Sequence, residues 1–328
     1  MPDVLTIGNA LVDVLDHEDD DFLAAHDLVK GSMHLIDHAR AEELYESMGP
    51  GIEVSGGCAA NTAAGVVSFG GTAAFLGKVR DDQLGHVYQH DLSSAGVAVD
   101  IPMAPADHPE PTGRCLIMVT PDGERTLNTH LGIAAHVSVD DVDPAVVASA
   151  GLVYVEGYLW DMESTKDAIR KALDATAPGA RFAFTLSDSF CVDRHHAEFV
   201  ELAEERIDVL FANEAEITRL YEVDTFDQAI ERVRRRRGIS FVTCSEKGSV
   251  VVENGDTHAV EAHPVERVVD ATGAGDLYAA GALYGLSIGA DLPTCAQLGS
   301  LAAAEIISHL GARPQVSLRE LADAAGLP

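Results

Sequence analysis

The stretch Val268-Val269-Asp270-Ala271-Thr272-Gly273-Ala274-Gly275-Asp276-Leu277-Tyr278-Ala279-Ala280-Gly281 decides how the rest of the chain is read. It reads as the end of a strand, a tight glycine turn, and the first turn of an apolar helix running on through Ala282, Leu283 and Leu286. Glycine at 273 and 275 removes Cβ groups that would keep a ligand off the backbone, and admits positive φ. The free N–H groups of the helix start, with the positive end of its dipole, then favour an anion. Asp276 stands at that same end, where a bound phosphate would repel it, so its use would be on a hydroxyl that attacks the phosphate. A glycine C-cap and an aspartate N-cap between two core elements explain the same residues equally well; the surrounding chain has to decide.

Upstream of this stretch, apolar runs alternate with helical patterns. Strands are expected at 152–156, 182–186, 209–212 and 241–243, and helices at 164–175, 196–205, 214–221 and 226–236. Residues 250–252 and 258–260, around Asn254-Gly255, read as a hairpin. Such alternation indicates an α/β fold with a mostly parallel sheet covered by helices on both faces. Further upstream, residues 4–8 read as a buried strand leading into Asn9 and Asp13, an acid set among apolar residues. Burying it is costly without hydrogen bonds, so Asn9 and Asp13 either bind something polar or cap a local turn. Short strands near 12–15 and 33–36 and a hairpin from Thr112 to Asn128 around Asp122-Gly123 would form a small separate sheet. The connection at 101–112 is rich in proline (Pro102, Pro105, Pro109, Pro111). Ser55-Gly56-Gly57-Cys58-Ala59-Ala60-Asn61 offers bare backbone and an amide at the start of a helix of small residues. The run from Gly71 to Lys78 is not a P-loop, because Thr72 and Val79 stand where a glycine and a hydroxyl are needed.

The 328 residues suit one large α/β domain with an appendage, or two ordinary domains. With 22 basic and 53 acidic residues the formal charge is -31, a field that repels nucleic acid and anionic membrane. It repels nucleotides too, so a phosphate site must gather its donors locally. The one basic cluster, 234–237, sits where a helix C-terminus favours cations. Five scattered cysteines form neither a disulfide framework nor a zinc cage, and the N-terminus shows no secretory signal. A cytoplasmic protein is expected.

Taken together, Asp13, residues 54–65 and residues 270–276 resemble the PfkB (ribokinase-like) family of sugar and nucleoside kinases. The family's D-T-x-G-A-G-D motif stands here as Asp270-Ala271-Thr272-Gly273-Ala274-Gly275-Asp276, with Ala271 in place of threonine. Its di-glycine with a following Asn is Gly56-Gly57 and Asn61, and its N-x-x-E is Asn213-Glu214-Ala215-Glu216. Asn9, Asp13 and Gly56 to Asn61 look closest to adenosine-kinase-like members, Cys58 replacing the usual serine.

The resemblance implies a single three-layer domain over residues 1–328, its small sheet (about 11–38 and 101–130) a lid. It implies that the γ-phosphoryl group of ATP passes to the 5′-hydroxyl of adenosine, or to a sugar hydroxyl in the ribokinase or fructokinase manner. A silent nucleotide-binding regulator would keep the fold without the chemistry. Asp276 would be the general base, the N–H groups of Ala274, Gly275 and Asp276 in the turn from Gly273 to Asp276 the anion hole, and Arg125 a cation for the transferring phosphate. Asn9, Asp13, Gly56, Gly57 and Asn61 would hold the substrate, and Asn213, Thr243, Ser245 and Gly248 the nucleotide. Glu216 with Asn213 would orient Mg²⁺, and carbonyls around Asp270 and Thr272 a monovalent cation such as K⁺. The partner is a small molecule, and the chain is expected as a monomer or homodimer. A ring from Phe190 or Trp160 beside an apolar slot would favour a purine over a free sugar.

Overall fold

A computed structural model describes residues 1–99, 101 and 103–328; Pro102 of the expected proline-rich loop lies outside them. Fourteen strands fall in chain order: β1 (Val4–Ile7), β2 (Leu11–His17), β3 (Met33–Leu35), β4 (Ile52–Gly56), β5 (Ala73–Leu76), β6 (Ala98–Val99), β7 (Gly113–Val119), β8 (Arg125–His130), β9 (Leu152–Glu156), β10 (Arg181–Thr185), β11 (Val209–Asn213), β12 (Ile239–Thr243), β13 (Ser249–Glu253) and β14 (Asp256–Val260). Nine make one sheet in the order β14-β13-β12-β11-β10-β9-β1-β5-β6. From β12 through β6 the pairing is parallel, and β13 and β14 add an antiparallel edge. Parallel strands joined by helices are covered on both faces, which is why their sequences run apolar rather than alternating. Two apolar clusters fill the two faces, one around Phe211, Phe241 and Leu277, the other around Trp160, Phe184 and Phe199.

The second sheet runs β3-β8-β7-β2-β4. The expected hairpin is present as antiparallel β7 and β8. β4 corrects the expected extent of this sheet: residues 52–56 pair antiparallel with β2, so the chain enters the di-glycine directly from the small sheet. One face, with Val12, Val14, Leu116 and Met118, joins the main core. The opposite face carries Asp13, Cys115 and Thr129 in one row and Leu15, Ile117 and Leu127 in the next.

One further expectation is corrected. Residues 268–270 are not a strand; they run irregularly, held by the Val269 N–H on the Ile307 carbonyl at 2.8 Å. The 234–237 cluster follows the helix Phe226–Val233 as expected; Arg234, Arg235 and Arg237 are exposed, while Arg236 turns inward and donates to the carbonyls of Ala203, Ile207 and Ile239.

Part of the acid excess goes into helix starts. Asp19, Asp37, Asp82, Asp143, Asp188 and Asp291 each accept a backbone N–H as an N-cap. Small residues set how closely the helices approach. A Cβ on Gly65 would lie 2.5 Å from Ala280 Cβ, so the helix Cys58–Ser68 packs directly on the helix Ala274–Ser287. That contact brings the starts of the two helices together.

Candidate active site

The Asp270–Asp276 turn is built by its own carboxylate. Asp270 accepts from the N–H of Thr272 at 3.0 Å and of Gly311 at 3.1 Å, and from the Arg125 guanidinium at 2.5 Å. Burial pushes this acid up, but those hydrogen bonds and the arginine's charge hold it below the usual carboxylate range. Gly273 takes φ 78°, a left-handed conformation, with its Cα face against Ala312. The Ala274 N–H is already used, donating to the Ala271 carbonyl at 3.2 Å. The Gly275 and Asp276 N–H groups meet no acceptor among the described residues, and no atom lies within 4 Å of where a Cβ on Gly275 would sit. These two orphan donors, at the start of a 14-residue helix, suit an anion such as a phosphoryl group. The expected hole is therefore narrower than the sequence suggested, with Ala274 outside it.

Asp276 is half-buried beside the start of the Cys58–Ser68 helix. Its carboxylate accepts the Asn61 side-chain amide at 2.9 Å and the Cys58 thiol. Thr62 Oγ1 lies within hydrogen-bond distance of both the Cys58 and the Asp276 carbonyls, at 3.0 and 3.1 Å. Burial pushes Asp276 up to about 6, opposed by Asn61, Cys58 and the charge of Arg313. Asp13 is likewise pushed up to about 6 by burial; Arg125 and Arg313 pull it down and Asp276 pushes it further up. The charge of Arg313 thus acts on both carboxylates.

The glycines of the di-glycine make room for protein groups. A Cβ on Gly56 would lie 2.5 Å from the Asp13 carboxylate, and one on Gly57 (φ 91°) would lie 2.2 Å from the Asn9 carbonyl oxygen. Arg313, absent from the expected site, braces this elbow by donating to the Ala60 carbonyl at 2.6 Å and to the Ser55 carbonyl at 2.8 Å. Asn9 goes elsewhere than the expected substrate wall: its side-chain amide donates to Glu156 at 2.8 Å. Arg125, expected as a cation for the phosphate, pairs with Asp270.

On the nucleotide side, Asn213 and Glu216 form a reciprocal cap on the helix Glu214–Leu220, with side-chain contacts of 2.6 to 3.0 Å. Burial raises Glu216 to about 7, with Asp188 nearby adding to the rise. A groove of about 1130 Å³ runs past Ser189, Asn213, Glu214, Thr243 and Ser245. Gly248 (φ 89°) closes the turn beneath it, since a Cβ there would lie 2.0 Å from the Val260 carbonyl oxygen. Glu216, Asp270 and Thr272 are each engaged with protein partners, and among the described residues no three acid, histidine or cysteine side chains converge on a metal position. Trp160 is buried against Phe184 and Phe199, while Phe190 is 72% exposed. No helix among the described residues is long and apolar enough to cross a membrane.

Comparison with known proteins agrees with this arrangement. Residues 36–318 match the model described as "pfkB family carbohydrate kinase". The structure of adenosine kinase from Sinorhizobium meliloti is 50% identical, covering 99% of both chains with a TM-score of 0.91. That of a probable sugar kinase from Rhizobium etli is 45% identical, covering 100% of this chain and 99% of the other, with a TM-score of 0.90. Adenosine kinase 2 of Arabidopsis thaliana is 26% identical over 94% of each chain. The protein belongs to the pfkB family of carbohydrate kinases, phosphotransferases that act on an alcohol group.

Proposed function

We propose that the protein transfers the γ-phosphoryl group of ATP to the 5′-hydroxyl of adenosine. The observation that carries this reading is the face of the small sheet opposite the one that joins the main core. Asp13 lies there beside Cys115 and Thr129, and the next row is Leu15, Ile117 and Leu127. One half-buried acid for the hydroxyls of a ribose, continued by a wall of half-buried Leu15 and Leu127 about the buried Ile117, suits a nucleoside whose base leaves water on binding. A free sugar would need polar groups along that wall. The 50% identity to the Sinorhizobium meliloti adenosine kinase supports the same substrate.

In this reading Asp276 takes the proton of the attacking hydroxyl. Held by Asn61 and Cys58, its carboxylate has a fixed direction, and burial raises its basicity. The Gly275 and Asp276 N–H groups receive charge on the transferring phosphoryl oxygens. Asp13 and Asn61 hold the ribose; Asn61 Oδ1, buried without a partner, is free to accept a hydroxyl. Mg²⁺ bound with ATP screens phosphate charge, and Asn213 and Glu216 would meet it through its waters, since Mg²⁺ keeps several. Thr243 and Ser245 border the nucleotide groove. A monovalent cation beside Asp270 and Thr272 would add charge near the turn. The small sheet acts as a lid that excludes water from the transfer.

An ATP-coupled assay with adenosine, inosine, ribose and fructose tests the assignment. Adenosine should give the highest kcat/KM. Preference for ribose or fructose would replace the reading with a sugar kinase, and no turnover of any would leave a nucleotide-binding regulator.

A further inference from the structure

Glu156, the last residue of β9, takes no part in the reading above, yet it lies at the meeting point of the site's supports. Its Oε1 accepts the Asn9 backbone N–H and the Asn9 side-chain amide, each at 2.8 Å, and its Oε2 accepts the Ala59 N–H at 3.0 Å. The residue is 1% exposed. A Cβ on Gly8 would lie 2.4 Å from Glu156 Oε2, so the glycine ending the first apolar run is what admits the carboxylate. Among the described residues no arginine or lysine pairs with it. The groups facing it are Cys58, Tyr88, Tyr154, Cys191 and Asp276, none of them a cation. A buried carboxylate without a counter-ion is a poor device for stability alone, because an apolar or amide side chain avoids most of the desolvation cost.

We infer that Glu156 is a positioning residue for phosphoryl transfer: it ties Asn9 to the start of the Cys58–Ser68 helix and, through Asn61, fixes the Asp276 carboxylate. The inference rests on the reading of Asp276 as the base. Ala59 and Asn61 share the first turn of that helix, the Asn61 N–H bonding the Gly57 carbonyl at 2.9 Å. The same turn delivers the Asn61 amide to Asp276 Oδ2 and the Thr62 hydroxyl to the Asp276 carbonyl. Releasing the Ala59 N–H lets the turn shift, and misplacement by about 1 Å costs up to about a hundredfold in rate.

Glu156→Gln keeps shape and an acceptor for Asn9, but turns an amide N–H toward the Ala59 N–H. Glu156→Asp keeps the charge and loses reach. Both should lower kcat/KM for the alcohol about tenfold to a hundredfold while leaving KM for ATP unchanged. In the wild type, Glu156 at about 7 and Asp276 at about 6 both titrate on the acid limb of the pH profile. Glu156→Gln should remove the highest of these ionisations and move the limb toward the values near 6 of Asp276 and Asp13, which Glu156→Asp should not do. A folded Glu156→Gln with wild-type kinetic constants and pH profile overturns the inference. If it does not fold, the exchange Asn9→Asp with Glu156→Gln decides: recovered folding and turnover support the tether, and failure to recover makes Glu156 a folding residue only and overturns it. The wild type assayed in parallel keeps the readings apart. If it turns over another alcohol but not adenosine, the substrate assignment fails and the tether is scored on that alcohol.

Discussion

Asn61 donates its side-chain amide to the Asp276 carboxylate across 2.9 Å, joining the starts of two helices 215 residues apart in the chain. The contact leaves Asn61 Oδ1 without a partner, so one side chain both orients the acid and keeps an acceptor free for a ligand. The geometry depends on Gly65, which lets the two helices touch backbone to side chain.

Replacing Asp276 with asparagine removes the proton acceptor and keeps the volume. The two orphan N–H groups stay in place, so nucleotide affinity should survive while kcat falls about 10²–10⁴-fold. Stopped-flow or coupled ADP release with parallel nucleotide titration checks this; an unchanged kcat removes Asp276 from the chemistry.

Among the acids held above their ordinary values, Asp13 and Asp276 stand at about 6 and Glu156 and Glu216 at about 7. Each binds its proton more tightly folded than unfolded, so its contribution to stability is complete below the unfolded value near 4 and is lost as pH rises through the folded one. Unliganded protein should therefore lose melting temperature between about pH 4.5 and 7.5. Self-repulsion of a chain with formal charge -31 acts in the same direction. Asp13→Asn should flatten the slope. A melting temperature rising across this window would contradict both arguments.

Much of this was legible in the chain, and the exceptions share a cause. The apolar runs at 152–156 and 209–213 gave parallel strands because a doubly covered strand has no polar face to disguise it. The Gly273–Asp276 turn was legible because glycine spacing is local. Residues 268–270 read as a strand and are not, since three apolar-rich residues carry no period. Asn9 and Glu156, 147 residues apart, satisfy each other's polar groups, and no local pattern announces such a pair. Glu156, an acid ending an apolar run, carried a cue akin to that of Asp13, an acid set among apolar residues, but β4 carried none.

Gly57 tolerates no side chain. At φ 91° an alanine is strained, and its Cβ would lie 2.2 Å from the Asn9 carbonyl oxygen. Gly57→Ala should cost about 1–3 kcal/mol from backbone strain alone. Gly56→Ala meets the Asp13 carboxylate instead and should act mainly on KM for the alcohol. Denaturant melts and acceptor titrations separate the two effects; equal effects on both measures would refute the distinction.

Arg125 and Asp270 form a buried ion pair that joins β8 of the small sheet to the glycine turn. Breaking a buried pair leaves one charge without compensation, which typically costs about 3–5 kcal/mol. Arg125→Met should therefore destabilise strongly, and should also loosen the turn, since Asp270 holds the Thr272 and Gly311 N–H groups. Asp270→Asn in the same chain removes the stranded charge and should recover part of the loss, giving a coupling energy well above the ~0.5 kcal/mol typical of distant sites. An exposed or idle arginine would give additive losses. Additivity in that double-mutant cycle would mean that the link between the small sheet and the turn contributes nothing, and that Arg125 is available to a phosphate after all.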